Sequence, residues 1–237
     1  MEIRQQEAVL VSQFVDVWEG RLTLAAEQIR SLFGFLGQDE RERAQTFKLP
    51  QMRDRYIAVR GMLRQTLAGY LDVAPESLRF EVNEYGKPSL LCGSLHFNLS
   101  HSADVLMIAV ANFADIGIDV ETIKMRPSLD SLAERCFSAN ELTGWRQLPQ
   151  DQKLQCFYRL WTKKEAFVKA VGRGIALGLE LCEFELEVGG QLLAIPPDYG
   201  PVLAWQVTEL AVSPEIGGAL VTKRCPFGLS RRNIVIS

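Results

Sequence analysis

The order in which helical and strand patterns follow one another constrains this chain more than any single motif. Over residues 53–71, Tyr56, Val59, Leu63, Leu67 and Tyr70 recur at intervals of three or four, one stripe of an amphipathic helix. Strand patterns follow at residues 78–82, 95–99 and 105–111. The same order returns later, where a helical stretch over residues 151–171 stops at Gly172 and precedes strand patterns at 182–188, 202–208 and 219–222. Helices followed by runs of strands predict an α+β fold rather than a doubly wound sheet. The polar break Asn112-Phe113-Ala114-Asp115 divides the chain into a half over residues 1–113 and a half over residues 116–237.

The remaining elements fit between these. Residues 9–18 read as an opening strand and residues 24–35 as a helix. Gly37-Gln38-Asp39 breaks the pattern and offers Asp39 as the N-cap of a charged helix beginning at Glu40. Asn83-Glu84-Tyr85-Gly86-Lys87-Pro88 is turn chemistry, and residues 100–104 read as the connection between two strands. Arg126-Pro127-Ser128 leads into a short helix, and Ser138-Ala139-Asn140-Glu141 has the form of a capping box. In residues 182–188 Cys182, Phe184, Leu186 and Val188 alternate with glutamates, the clearest strand in the sequence. Ser230-Arg231-Arg232-Asn233 reads as a polar tail that frays.

A chain of 237 residues can bury a substantial core, and a net charge of -3 gives no general drive toward nucleic acid or an anionic membrane. Any anion site must be local. Five scattered cysteines without C-x-x-C spacing indicate neither a disulfide framework nor a zinc site, which fits a reducing cytosol. Met1 to Glu7 has no basic region followed by a long apolar segment, and no apolar run approaches membrane-spanning length. The expectation is a cytoplasmic protein without nucleic-acid or membrane partners.

Chemistry enters with Ile116-Gly117-Ile118-Asp119-Val120-Glu121. Side chains two apart on a strand share a face, so Asp119 and Glu121 stand together while Ile118 and Val120 face away. Taken alone, such a pair marks a half-buried strand with an acidic outer face. Taken with a third acid it makes a seat for a hard divalent cation such as magnesium. In the long helix, Leu154, Phe157 and Trp161 continue at helical spacing to Glu165, Val168 and Gly172, which puts a carboxylate on an apolar seam. Lys169 lies one turn on. It can pair with Glu165 along the helix face, and it brings a cation near the acids.

Ser100 and His101 are adjacent, so on an extended chain they point apart and do not form a nucleophile and base pair. Hydroxyl, imidazole and backbone donors in a tight connection suit an anion instead. Lys87 sits in a turn directed by Pro88. Arg41, Arg43, Lys48, Arg53 and Arg55 form either a solvated helical face or an electropositive rim for phosphate. Gly172-Arg173-Gly174 lacks Walker spacing and reads as a helix end with a flexible exit.

Four ordered stretches, Asn83 to Pro88, Phe97-Asn98-Leu99-Ser100-His101-Ser102, Gly117 to Glu121, and Trp161-Thr162-Lys163-Lys164-Glu165-Ala166-Phe167-Val168-Lys169, resemble the motifs of the 4'-phosphopantetheinyl transferases. The length and two-part layout are similar to the larger, surfactin-synthetase-activating type rather than the small trimeric holo-acyl-carrier-protein synthases. The resemblance spans about Glu40 to Gly174.

It implies a pseudo-twofold monomer of two similar α+β halves, with coenzyme A in the cleft between them. It implies that Asp119, Glu121 and Glu165 bind magnesium and that Lys169 lies beside the transferred phosphate. Ser100, His101 and Lys87 match coenzyme contacts, and Arg43 and Arg55 fall where the family has basic contacts. Glu40 departs from the basic residue common in relatives. The implied reaction moves the phosphopantetheine arm of coenzyme A onto a serine of an apo acyl or peptidyl carrier protein, with Glu165 as the candidate base and Asp119 and Lys169 assisting. Residues 123–137, with Met125, Leu129 and Leu132, are the expected carrier contact. The alternatives are a non-catalytic coenzyme A-binding partner of a synthase and a magnesium-dependent hydrolase of diphosphates.

Overall fold

A computed structural model describes residues 12–236, so residues 9–11 of the expected opening strand lie outside the described residues. The first part of the chain runs β1 (Phe14–Arg21), α1 (Ala26–Gly34), α2 (Gln38–Gln45) and α3 (Pro50–Leu71). The strands β2 (Phe80–Val82), β3 (Pro88–Leu90), β4 (His96–Ser102) and β5 (Val105–Ala111) follow. The second part runs β6 (Ile116–Thr122), α4 (Leu129–Cys136), α5 (Ala139–Gln147) and α6 (Gln150–Ala170). It ends with β7 (Glu183–Phe184), β8 (Leu192–Ala194), β9 (Trp205–Ser213), β10 (Ile216–Lys223) and β11 (Gly228–Asn233). The architecture is α+β, as the order of patterns predicts.

Alternation along β5 explains how the sheets are arranged. Leu106, Ile108 and Val110 point to one face and join the core under α1 and α3, with Leu32, Leu63 and Leu67. Val105, Met107, Ala109 and Ala111 point to the other face and meet Ile116, Ile118 and Val120 of β6 and Leu220 of β10. The sheet β11-β1-β5-β4 therefore packs against the sheet β6-β10-β9 through a shared apolar layer. A separate core lies under α6, where Phe157, Phe167 and Val168 pack on Ala219 and Val221.

On β6 the residues opposite this layer are Gly117, Asp119 and Glu121. Gly117 is required by close approach, because a Cβ there would stand 1.9 Å from the Ala166 carbonyl oxygen of α6. The strand thus lies directly against the helix, and Asp119 two residues on faces the same side.

Several expectations are corrected. The second helix begins at Gln38, with Gly37 as N-cap and Asp39 inside the first turn, because Glu40 accepts from the Gly37 N–H at 3.1 Å. The same carboxylate pairs with Arg60 and Arg64 and is 3% exposed, so Glu40 anchors α2 to α3. The alternating segment 182–188 yields only the two residues of β7. The Leu186 carbonyl accepts from the Arg159 side chain of α6 instead of a neighbouring strand. The tail at residues 230–233 does not fray but lies in β11, paired in parallel with β1 from Phe14 and Gly228 to Glu19 and Asn233. The Ser138 capping box forms as predicted, with Glu141 N donating to Ser138 Oγ and Ser138 N to Glu141.

Lys163 and Lys164 are fully buried on α6. Lys163 pairs with Glu209 at 2.7 Å and Lys164 with Glu141 at 2.7 Å, so both fasten the helix to its surroundings rather than to solvent. Among the described residues no helix is long and apolar enough to cross a membrane.

Candidate active site

The site forms where β4, β6 and α6 meet. Strand β4 extends through Ser102, so Ser100, His101 and Ser102 are strand residues rather than a connecting loop. Ser100 and Ser102 consequently share one face and His101 takes the other. That face meets β6, which β4 contacts through side chains. Asn98 Oδ1 accepts from Ile118 N at 2.9 Å, Ser100 Oγ donates to Asp119 Oδ1 at 2.8 Å, and Ser102 Oγ donates to Glu121 Oε2 at 2.9 Å.

From α6, Lys169 Nζ donates to Asp119 Oδ1 at 2.7 Å, to Ser100 Oγ at 3.1 Å and to the Ile118 carbonyl at 3.3 Å. Its ion-pair partner is thus Asp119 across the fold, not Glu165 one turn back on the same helix. Glu165 is 8% exposed.

Electrostatics bind the three acids together. Burial raises the Asp119 pKa against the opposing effect of the Lys169 ammonium. Burial likewise raises that of Glu121, with Asp119 adding to the rise. Glu165 is pushed up to about 7, first by burial and then by the negative charge of Asp119, with Lys169 opposing and Glu121 adding. Mutual repulsion of this kind places the three carboxylates within one another's field.

Asp119 Oδ2 is buried and has no hydrogen-bond partner. Among the described residues, no group of three or more His, Cys, Asp or Glu side chains is placed to hold a metal ion. A buried carboxylate oxygen with a free lone pair, flanked by two further acids, nevertheless fits the hard-oxygen preference of a divalent cation.

On the outer side of β4, Arg55 Nη2 donates to His101 Nδ1 at 3.1 Å, and Arg55 Nη1 donates to the Ala103 carbonyl. Because arginine can only donate, the neutral imidazole carries its proton on Nε2. Burial and the Arg55 charge lower the His101 pKa.

Lys87 reaches the end of α6, where its Nζ donates to the Ala170 carbonyl at 2.8 Å and the Ile116 carbonyl at 3.3 Å. Arg43 is exposed on α2, with its guanidinium 5.3 Å from the Phe47 ring centroid. It makes no hydrogen bond or ion pair with the acids, Ser100 or His101.

The structure therefore brings together Asp119, Glu121, Glu165, Lys169 and Ser100, and joins His101 to Arg55. The sequence reading missed the pairing of Ser102 with Glu121 and of Asn98 with the Ile118 backbone. The available signal was the two-residue spacing of Asn98, Ser100 and Ser102, which a loop assignment concealed.

In the expected carrier contact, Leu129 is 9% exposed and half-buried Leu132 packs against the core beneath α6, so both serve the core first. Met125 is 67% exposed. Arg126 is half-exposed, donates to the Tyr158 hydroxyl at 3.0 Å and stands 3.9 Å from the Glu121 carboxylate.

The sequence was compared with known proteins. The family model described as the 4'-phosphopantetheinyl transferase superfamily matches residues 115–218, and that described as 4'-phosphopantetheinyl transferase, N-terminal, matches residues 23–113. The chain belongs to the 4'-phosphopantetheinyl transferase family. Its relatives put it with the larger, Sfp-like members. It is 42% identical to 4'-phosphopantetheinyl transferase HetI of Nostoc sp., over 85% of this chain and 84% of the relative. It is 35% identical to 4'-phosphopantetheinyl transferase psf-1 of Bacillus pumilus, over 74% of each chain. Against 4'-phosphopantetheinyl transferase Sfp of Bacillus subtilis the identity is 29%, over 75% of this chain and 79% of the relative.

Proposed function

We propose that this protein moves the 4'-phosphopantetheine arm of coenzyme A to a serine of an apo acyl or peptidyl carrier protein, releasing adenosine 3',5'-bisphosphate. Family membership supports the reaction. The observation that carries its location is the contact of Lys169 Nζ with both Asp119 and Ser100, beside the unpartnered Asp119 Oδ2.

In the transfer the serine oxygen forms a bond to the phosphorus on the pantetheine side of the diphosphate. The bond from that phosphorus to the bridging oxygen breaks, and its electron pair leaves on the adenosine bisphosphate. The serine proton passes to a base. Magnesium held by Asp119, Glu121 and Glu165 would supply neutralisation of the diphosphate and of charge developing on the leaving group.

Lys169 sets an ammonium beside the same acids, where it stabilises the phosphoryl oxygens as charge builds on them. Glu165, with a pKa of about 7, is the base, taking the serine proton directly or through a water. His101 offers Nε2–H to a coenzyme phosphate while Arg55 holds Nδ1, and Ser100, whose hydroxyl donates to Asp119, stands beside that contact. Arg43 and Arg55 complete the basic coenzyme contacts.

The cleft runs along β4 and β6 between two halves, residues 1–113 and 116–237, related by a pseudo-twofold, with β11 of the second half crossing back to pair with β1 of the first. The carrier docks along residues 123–137, where Met125 is the exposed apolar side chain. The protein works as a cytoplasmic monomer.

Mass spectrometry of an apo carrier incubated with the protein, coenzyme A and magnesium tests the reading. The expected result is a gain of one phosphopantetheine mass. No gain across several carriers of fatty acid, polyketide and peptide synthesis would overturn it, and coenzyme A binding without turnover would favour a non-catalytic partner.

A further inference from the structure

The turn between β2 and β3 belongs to the first part of the chain, yet its side chains grip the end of α6 in the second. Asn83 uses both ends of its amide, one for the turn itself and one for the helix end. Its Oδ1 accepts from Tyr85 N at 3.0 Å and Lys87 N at 2.9 Å, which shapes the turn. Its Nδ2 donates to the Gly172 carbonyl at 2.8 Å, just past the helix.

Three further contacts reach the same place. Lys87 Nζ donates to the Ala170 and Ile116 carbonyls, at the helix C-terminus where a cation is favoured. The Arg173 guanidinium stands 4.2 Å from the Tyr85 ring centroid. Gly172, at φ +73°, passes so close that a Cβ there would stand 2.9 Å from Asn83 Nδ2 and 3.3 Å from Lys87 Cδ.

We propose that Asn83 and Lys87 latch the turn at residues 83–88 to the last turn of α6, and that this latch positions Lys169 against Asp119 and Ser100. Lys169 lies one residue before the carbonyl that Lys87 holds and three before the one that Asn83 holds. Ile116, the third anchor, opens the strand that carries Asp119. Both partners of the Lys169–Asp119 pair are therefore tied to one turn. Asn83 and Lys87 are positioning residues. The Lys87 ammonium, spent on two carbonyls and on the Asp115 carboxylate 3.6 Å away, acts through α6 rather than on the coenzyme.

The inference rests on the transferase reading, and Asn83→Asp tests it. The substitution keeps the acceptor that shapes the turn and removes the donor to Gly172. Expected for this variant is a fall in kcat of about tenfold with KM for coenzyme A within about twofold of wild type. Hydrogen exchange should quicken in the peptide covering residues 168–174 while Tm stays near wild type. Lys87→Met should give the same split.

A rise in KM for coenzyme A with kcat unchanged in either variant would overturn the proposal and make the residue a coenzyme contact. So would unchanged kcat together with unchanged exchange. Should the wild-type protein modify no carrier, the exchange measurement still decides the latch, separately from the fate of the transferase reading.

Discussion

Lys169 Nζ lies 2.7 Å from Asp119 Oδ1, a contact between the last turn of α6 and the middle of β6 across 50 residues of sequence. Asp119 is 4% exposed, so the ammonium is the charge that makes an ionised carboxylate tolerable at that depth.

Removing it separates stability from catalysis. Lys169→Met leaves Asp119 with Ser100 as its side-chain donor, and the expected loss is about 2–3 kcal/mol of folding stability. Carrier modification should fall at least about a hundredfold, since charge on the phosphoryl oxygens loses its nearest cation. Urea unfolding and initial rates measure the two losses.

Asp119→Asn keeps the shape of the side chain and removes its charge. Carrier modification should become undetectable while the circular dichroism spectrum and Tm stay close to wild type. Full activity in this variant would remove Asp119 from the site.

Glu165 makes stability depend on pH in a direction opposite to that of an ordinary paired acid. Its folded pKa, about 7, lies above the ordinary glutamate value of 4.5. Between those values the native protein binds more protons than the unfolded chain, so stability falls as pH rises through the interval. The Glu165 contribution is at most about 3 kcal/mol. Without divalent metal, Tm should drop from pH 5 to pH 8, and Glu165→Gln should flatten the drop. Magnesium should raise the wild-type Tm most above pH 7, where the acids are ionised. A Tm that rises over this range in metal-free buffer would contradict the assignment.

Gly117→Ala tests the approach of β6 to α6. A methyl group 1.9 Å from the Ala166 carbonyl cannot be accommodated without moving strand from helix, and the expected cost exceeds about 3 kcal/mol. Loss of soluble protein, or a Tm lowered by well over 5 °C, is the outcome to measure.

Glu40→Lys introduces the basic residue that the family resemblance implies at this position. Here it would face Arg60 and Arg64 in a site that is 3% exposed. Burying three cations together should cost about 3–5 kcal/mol and unfold the first part of the chain, as proteolysis of its helices would report.

The acidic pair on β6 was legible because a two-residue period needs nothing but a strand, and Glu165 because a carboxylate interrupts an apolar seam. The capping box at Ser138 was legible for a similar reason, being local. What escaped was set by partners distant in sequence. Ser100 and Ser102 look like loop residues, but their hydroxyls are consumed by Asp119 and Glu121 on another strand. Residues 185–188 alternate like a strand, yet Arg159 has taken the Leu186 carbonyl that a neighbouring strand would need. Lys169 was read with the neighbour at helical spacing, whereas its stronger partner comes from β6. In β11 the residues are exposed and rich in arginine, which reads as a tail although it describes an edge strand equally well.

The parallel pairing of β11 with β1 joins residues more than two hundred positions apart. On a ribosome, β1 emerges long before its outer neighbour exists, so the first sheet waits with an unpaired edge until the last strand is made. Closure of that sheet is consequently a late event that depends on contacts of long sequence separation. A chaperone that shields the β1 edge during synthesis would protect this protein at its most aggregation-prone moment.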